Sequence, residues 1–258
     1  MPDVSSEPVF TTKPSVIGHR GLGKGVVAGH RENTIASLLA AVEAGVDWVE
    51  FDVTRTADDE LVVHHNPSTT DGRFIIDQTT AEVVPAGIHR LEEVLEALPA
   101  RARLVIDVKT ILEDASAPMS AGTAASLARF LARETARRPV LVTSFDASAL
   151  LWLGEQVAGL RCGLISWLDF PLRMALPAAA HLGMSVVCVH ERSFGANPIE
   201  PGLVHRDAAD SIGIAHDAGL EVVAWCPDEQ VAPSLVAAGV DAVCVNDVPR
   251  MLPLVRSL

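Results

Sequence analysis

The chain has 258 residues, 49% of them hydrophobic, and a formal net charge of −13. That length suits one large α/β unit, and the apolar content excludes a disordered polymer. With an acidic balance and no basic stripe, a nucleic-acid partner is not expected, and an anionic substrate would need a local cation.

The cysteines, Cys162, Cys188, Cys226 and Cys244, lie in separate apolar runs without a C-x-x-C pair. They read as small buried hydrophobes, not as a disulfide framework or zinc site. Residues 1–14 are polar and Pro-containing, with no apolar leader core, and are expected to be a flexible extension. No run reaches the ~18–20 apolar residues of a membrane span, so the cytoplasm is the expected compartment.

From Ser15 onward, short β-rich runs alternate with helical ones. The first strand is Ser15–Arg20, followed by a Gly-rich loop from Gly21 to Gly29. Asn33 or Thr34 then caps a helix with apolar positions Ile35, Leu38, Leu39 and Val42, ending at Gly45. The second strand is Trp48–Val53, and a polar turn leads to the apolar run Leu61-Val62-Val63 and to His64 and His65. Residues 66–90 are turn-rich and weakly periodic, which predicts an inserted excursion, and a helix over about 90–98 follows.

Six further pairs complete the pattern. Strands are expected at 103–109, 140–145, 161–167, 185–190, 221–226 and 241–246. Helices are expected at 121–137, 147–157, 172–182, 206–218, 228–238 and 248–255. Eight strand–helix units in this length predict a closed (β/α)8 TIM barrel over 15–258, with a short insertion after the second strand. A doubly wound open sheet is the alternative. It would normally carry G-x-G-x-x-G after its first strand, and Gly18, Gly21, Gly23 and Gly25 do not give that spacing.

Barrel chemistry stands at the C-terminal ends of strands. Those ends carry His19-Arg20, Glu50 and Asp52, Asp107 and Lys109, Ser144, His190, Trp225 and Asn246-Asp247. Glu50 and Asp52 alternate in step along a buried strand and so point the same way. Asp107 and Lys109 do likewise in the run Leu104–Lys109. Single acids of this kind are often structural ion pairs. Three from neighbouring strands would repel one another and lose hydration unless a cation sat among them, and a hard divalent ion accepts carboxylate oxygens. His19 and one of His64 and His65 can serve as general base and acid, and Arg20 and Lys109 can hold phosphate oxygens. That set suits phosphodiester hydrolysis. Metal-assisted proton abstraction and aldol-type chemistry remain open on residue types alone.

At these residues the sequence resembles the glycerophosphodiester phosphodiesterase family. The matching segments are His19-Arg20-Gly21, Glu32-Asn33-Thr34, Glu50-x-Asp52-Val53-x-x-Thr56-x-Asp58 and Val62-Val63-x-His65. They continue through Leu91-Glu92-Glu93-Val94, Asp107-x-Lys109, Ser144-Phe145-Asp146, Trp225, Gly239-Val240-Asp241 and Asn246-Asp247-x-Pro249. The resemblance implies cleavage of glycerophosphodiesters to sn-glycerol 3-phosphate and an alcohol, with one bound divalent ion, Mg2+ or Ca2+. It implies His19 and His65 as the acid/base pair and Glu50, Asp52 and Asp107 as metal ligands. Arg20 and Lys109 would contact phosphate, and Trp225 would line the glycerol pocket. Register selects His65 and leaves His64 structural. Glu32 is expected to serve the helix entry, and His216, in a helix, to be solvated.

Two departures stand out. Asn66 follows the second histidine where the family usually has Asp, and Asp107 stands where it usually has Glu. Within the same architecture, a lysophospholipase D- or sphingomyelinase D-like enzyme is the alternative. A non-catalytic barrel that binds phosphorylated ligands is the third reading.

Overall fold

The computed structural model describes residues 7–195 and 199–258. Residues 1–6 of the expected extension and 196–198 of the loop after His190 lie outside the described residues.

Period-two alternation sets the architecture. In the run Leu104-Val105-Ile106-Asp107-Val108, Leu104, Ile106 and Val108 face a core shared with helices, while Val105 and Asp107 face the opposite way, toward a cavity. The same rule repeats in eight parallel strands: β1 (Ser15–Gly18), β2 (Trp48–Arg55), β3 (Leu104–Val108) and β4 (Val140–Ser144), then β5 (Arg161–Ile165), β6 (Val186–His190), β7 (Glu221–Trp225) and β8 (Ala242–Val245). Each pairs with the next. β1 also pairs with both β8 and β2, which closes the ring. The barrel expected from the sequence is therefore present, with its strands within two residues of the expected limits.

The strand-to-helix turns carry the caps. Thr34 accepts a hydrogen bond from Ser37 N ahead of α1 (Ile35–Ala44), which Gly45 ends with φ 92°. The insertion then contributes α2 (Thr80–Val83) and leads into α3 (Leu91–Ala97). Around the ring follow α4 (Thr123–Arg137), α5 (Ala147–Gln156), α6 (Leu172–His181), α7 (Ala208–Asp217), α8 (Ala232–Ala237) and α9 (Val248–Arg256). Asp146, Asp207 and Asp247 cap α5, α7 and α9. The main core lies between ring and helices, with Leu38, Phe51, Leu127 and Val222 among its members, and a second core fills the ring itself with Ile17, Trp48, Val105, Leu141 and Val223.

After β2 the chain turns back. The short strand Leu61–Val63 runs antiparallel to the end of β2, and His89–Arg90 runs antiparallel to it in turn. Val62, Ile75, Val83 and Ile88 form a small core of their own under this excursion.

The expectation of a loose N-terminal extension fails for residues 7–14. Phe10 is fully buried among the ring-filling side chains, edge-on to Trp48 with centroids 5.6 Å apart. Val9 N and Phe10 N donate to the Glu221 carboxylate, and Lys13 Nζ donates to Asp241 at 2.6 Å. A barrel open at its N-terminal end would leave Trp48 and its neighbours to water; this segment plugs it. Asp241 also takes His216 Nε2 at 2.9 Å, so His216 is not merely solvated. Among the described residues no helix is long and apolar enough to cross a membrane.

Candidate active site

Register brings the acids together. Glu50 pairs with Val105 and Asp52 with Asp107 across β2 and β3, so three carboxylates converge at the C-terminal end of two adjacent strands. Their nearest oxygens lie within 4.8 Å of one another and all three residues are buried. They adjoin a cavity of about 530 Å3 whose lining includes His19, Arg20, Glu50, His65, Asp107, Lys109 and Trp225. Asp52 sits just behind the wall. His64 turns away and its Nε2 lies 3.2 Å from the Ser68 carbonyl. His65 lines the cavity and His64 does not.

Backbone conformation aims several of these groups. Arg20, Asn33 and Cys226 all adopt left-handed φ, 55°, 56° and 59°, which is costly for residues with a Cβ and is kept here by surrounding bonds. Arg20 N donates to Glu50 Oε2 at 2.8 Å, and Asn33 N donates to Arg20 O at 3.0 Å. Asn33 does not cap the helix. It donates from Nδ2 to Asp52 Oδ2 at 2.7 Å and accepts from Asp52 N, which fixes that carboxylate. Glu32 does not serve the helix entry either; it takes Arg20 Nη1 at 2.8 Å and the Gly25 amide.

Opposite charges are unevenly shared. Burial would raise Asp52, but Lys109, His65 and Arg20 outweigh it and hold the carboxyl well below its usual range. Asp52 lies 2.9 Å from Lys109 Nζ and 3.3 Å from Arg20 Nε. Asp107, bonded to the same ammonium, is nonetheless pushed up to about 6, by burial first and by Asp52 as well. Burial, with the charges of Asp52 and Asp107, raises Glu50 well above the usual carboxylate range. Burial works against the Lys109 charge, yet Asp107 and Asp52 keep its pKa above 10.5. Asp107 Oδ1 is buried without a hydrogen-bond partner. Three acids, an orphaned oxygen and one shared ammonium make a donor set that suits a hard divalent cation: carboxylate oxygens only, with more negative charge than Lys109 neutralises.

The two imidazoles approach from different elements. His19 Nδ1 lies 2.5 Å from Asn246 Oδ1, and its Nε2 is 3.9 Å from Glu50 Oε2. His65 Nδ1 lies 3.0 Å from Asn66 Oδ1. The outer wall is aromatic: Trp167 stacks on Phe145 with centroids 4.5 Å apart, and Lys109 Nζ is 5.7 Å from the Phe145 ring on which it bears. Trp225 reaches the cavity, and His190 packs edge-on against it at 4.3 Å without lining the cavity. Sequence reasoning missed Asn33 as a carboxylate holder. Its only signal was a second polar residue beside a competent cap.

Comparison with known proteins agrees with this geometry. Residues 19–250 match the model of the glycerophosphoryl diester phosphodiesterase family. The chain is 28% identical over 263 residues to the glycerophosphodiester phosphodiesterase of Caldanaerobacter subterraneus subsp. tengcongensis, covering 95% of this chain and 98% of that one. In fold it resembles an Oleispira antarctica phosphodiesterase in complex with the product sn-glycerol-3-phosphate, with a TM-score of 0.76, 22% identity and coverage of 97% and 100%. It also resembles the glycerophosphodiester phosphodiesterase of Thermotoga maritima, with a TM-score of 0.73, 20% identity and coverage of 94% and 99%. A closed barrel with its acids and histidines at one mouth, and a family match over nearly its whole length, lead to one conclusion: the chain belongs to the glycerophosphoryl diester phosphodiesterase family.

Proposed function

We propose that the chain hydrolyses glycerophosphodiesters to sn-glycerol 3-phosphate and an alcohol, with one divalent ion, Mg2+ or Ca2+, held by Glu50, Asp52 and Asp107. The observation that carries the reading is the convergence of these carboxylates, within 4.8 Å, beside His19 and His65 on one cavity. Bound there, the ion would supply charge for the phosphoryl oxygens as negative charge builds in the transition state. Arg20 and Lys109 hold the remaining phosphate oxygens, Arg20 from a guanidinium fixed by Glu32 and Asp52.

Burial lowers the His65 pKa below 6.5 against the pull of Asp52, so His65 is neutral near pH 7 and accepts the proton of the attacking hydroxyl. His19, facing Glu50, returns a proton to the leaving alkoxide. Trp225 packs against the glycerol carbons. A cytoplasmic setting belongs to the same reading, supported by four cysteines that are all free, buried or half-buried.

The test is release of glycerol 3-phosphate from glycerophosphocholine and glycerophosphoethanolamine, with and without chelator. His19→Ala and His65→Ala should each slow turnover by ~10²–10⁴-fold with the fold intact, while His64→Ala should not. Turnover that survives thorough metal removal would sink the role of the acids. A diester bearing an acyl chain, as in a lysophospholipase D, is the second reading. It is favoured by the ledge of Trp167, 66% exposed, and Leu168 at the cavity mouth. Faster turnover of lysophosphatidylcholine than of glycerophosphocholine would select it.

A further inference from the structure

His19 follows β1 and His65 follows the strand Leu61–Val63, yet the two rings are held alike. Each presents Nδ1 to the side-chain oxygen of an asparagine, at 2.5 Å from Asn246 and 3.0 Å from Asn66. A carboxamide oxygen can only accept, so each ring keeps its proton on Nδ1 and leaves Nε2 as the nitrogen that gains or loses one. For His19 that atom faces the acids, 3.9 Å from Glu50 Oε2. Cys226 Sγ, 3.8 Å from the same Nδ1, is too weak an acceptor to compete.

Asn246 is itself held in place. Its backbone oxygen accepts from Lys24 N at 3.2 Å. Gly23 crosses so near that a Cβ there would meet that oxygen at 1.9 Å, and the φ of +147° at this position suits glycine alone. Gly23 also bridges to Asp247, the cap of α9. The asparagine therefore hangs between a barrel strand and a helix start, on two sides of which the backbone is fixed.

The choice of amide has a physical sense. A carboxylate behind an imidazole also fixes its tautomer, but it stabilises the charged ring and adds negative charge. Here three buried carboxylates, Glu50, Asp52 and Asp107, already lie within 4.8 Å of one another. A fourth or fifth acid would deepen that repulsion. A neutral amide orients the ring and leaves the charge balance alone.

We propose that Asn246 and Asn66 are a matched pair of positioning residues that fix both imidazoles as Nδ1–H tautomers, so that Nε2 of each faces the substrate phosphate. The inference rests on the reading of His19 and His65 as the proton-transfer pair. Imidazole 15N–1H correlation spectra of the full chain with Mg2+ and without substrate read the tautomers directly, at a pH where both rings are neutral. Both rings should carry hydrogen on Nδ1. Asn246→Leu should release His19 into a tautomer mixture and leave His65 unchanged, with kcat down about tenfold to a hundredfold and KM little altered. Asn246→Asp should restore the His19 pattern. Asn66→Leu, at an exposed position that does not threaten folding, should do the same to His65 alone.

In the neutral rings of the wild-type chain, hydrogen on Nε2 of either one would overturn the proposal. So would loss of rate in both leucine variants with unchanged tautomers. Because the spectra need no substrate, failure to turn over any glycerophosphodiester would count against the functional reading and not against this assignment.

Discussion

At the N-terminal end of the ring, Asp241, 1% exposed, gives one oxygen to Lys13 and the other to His216 and Val222 N. Glu221 beside it accepts from Val9 N and Phe10 N and pairs with Lys13 at 3.0 Å. At the opposite end Asp107, 5% exposed, keeps Oδ1 without a partner, and Glu50 accepts a single backbone bond. Asp241 and Asp107 are buried alike in one barrel, yet the first has both oxygens satisfied and the second keeps one without a partner. Buried acids fully matched by donors act as latches. Buried acids short of donors are costly to the empty protein and are available to a ligand. The N-terminal end thus carries stability, and the C-terminal end gives some of it up for chemistry.

The division is open to breaking from either side. The largest effect is expected at the plug. Phe10→Ala empties a fully buried aromatic site and should cost about 3–5 kcal/mol, roughly 10 °C in Tm for a chain of this size. Turnover per folded molecule should stay close to that of the unmodified chain, because the cavity lies at the far end of the ring. A Phe10→Ala protein that melts normally but has lost activity would show that the two ends are coupled.

At the other end the sign should reverse. Glu50→Gln removes one of three mutually repelling acids and keeps an oxygen for Arg20 N. In metal-stripped protein it should raise stability by about 0.5–2 kcal/mol, the usual size of an exchange of function for stability, while binding of Mg2+ or Ca2+ weakens sharply. Thermal melts of the stripped proteins decide this. A stripped Glu50→Gln chain that melts at or below the temperature of the stripped parent would mean that the acids are already matched without a cation.

The ring and most of the site were legible because their signals are local. Alternation along Trp48–Val53 and Leu104–Val108 fixes which acids share a face, and parallel pairing then places Asp52 beside Asp107. What escaped was whatever depends on contacts distant in sequence. Phe10 looks like a stray aromatic in a polar leader; only the open end of a finished barrel, with Trp48 and Glu221 waiting, gives it a place. His216 could not announce Asp241 for the same reason. Asn33 and Glu32 escaped differently: both sit where a helix cap is expected, and Thr34 fills that role, which frees Asn33 for Asp52 and Glu32 for Arg20.

The smallest effect sharpens the comparison through pH. Burial alone would lower the Lys13 pKa, but its bonds and charges with Asp241 and Glu221 raise it above the ordinary 10.5. A group whose pKa is higher in the folded state contributes stability that is complete below the unfolded value and disappears as pH rises through the folded one. The latch should therefore be whole at neutral pH and should fail only in the alkaline range above about 10.5, where the ammonium is lost. Lys13 is 45% exposed on its side chain, so water screens it and the loss should be modest. Lys13→Arg keeps the charge to far higher pH and should hold its Tm further into alkali. Lys13→Met should sit slightly lower at pH 7 and lack this alkaline step. If the Lys13→Met and wild-type melting curves run parallel from neutral pH to above 11, Lys13 is not part of the latch, and the plug is held by Phe10, the Glu221 carboxylate and bonds such as that from Arg103 to Thr11.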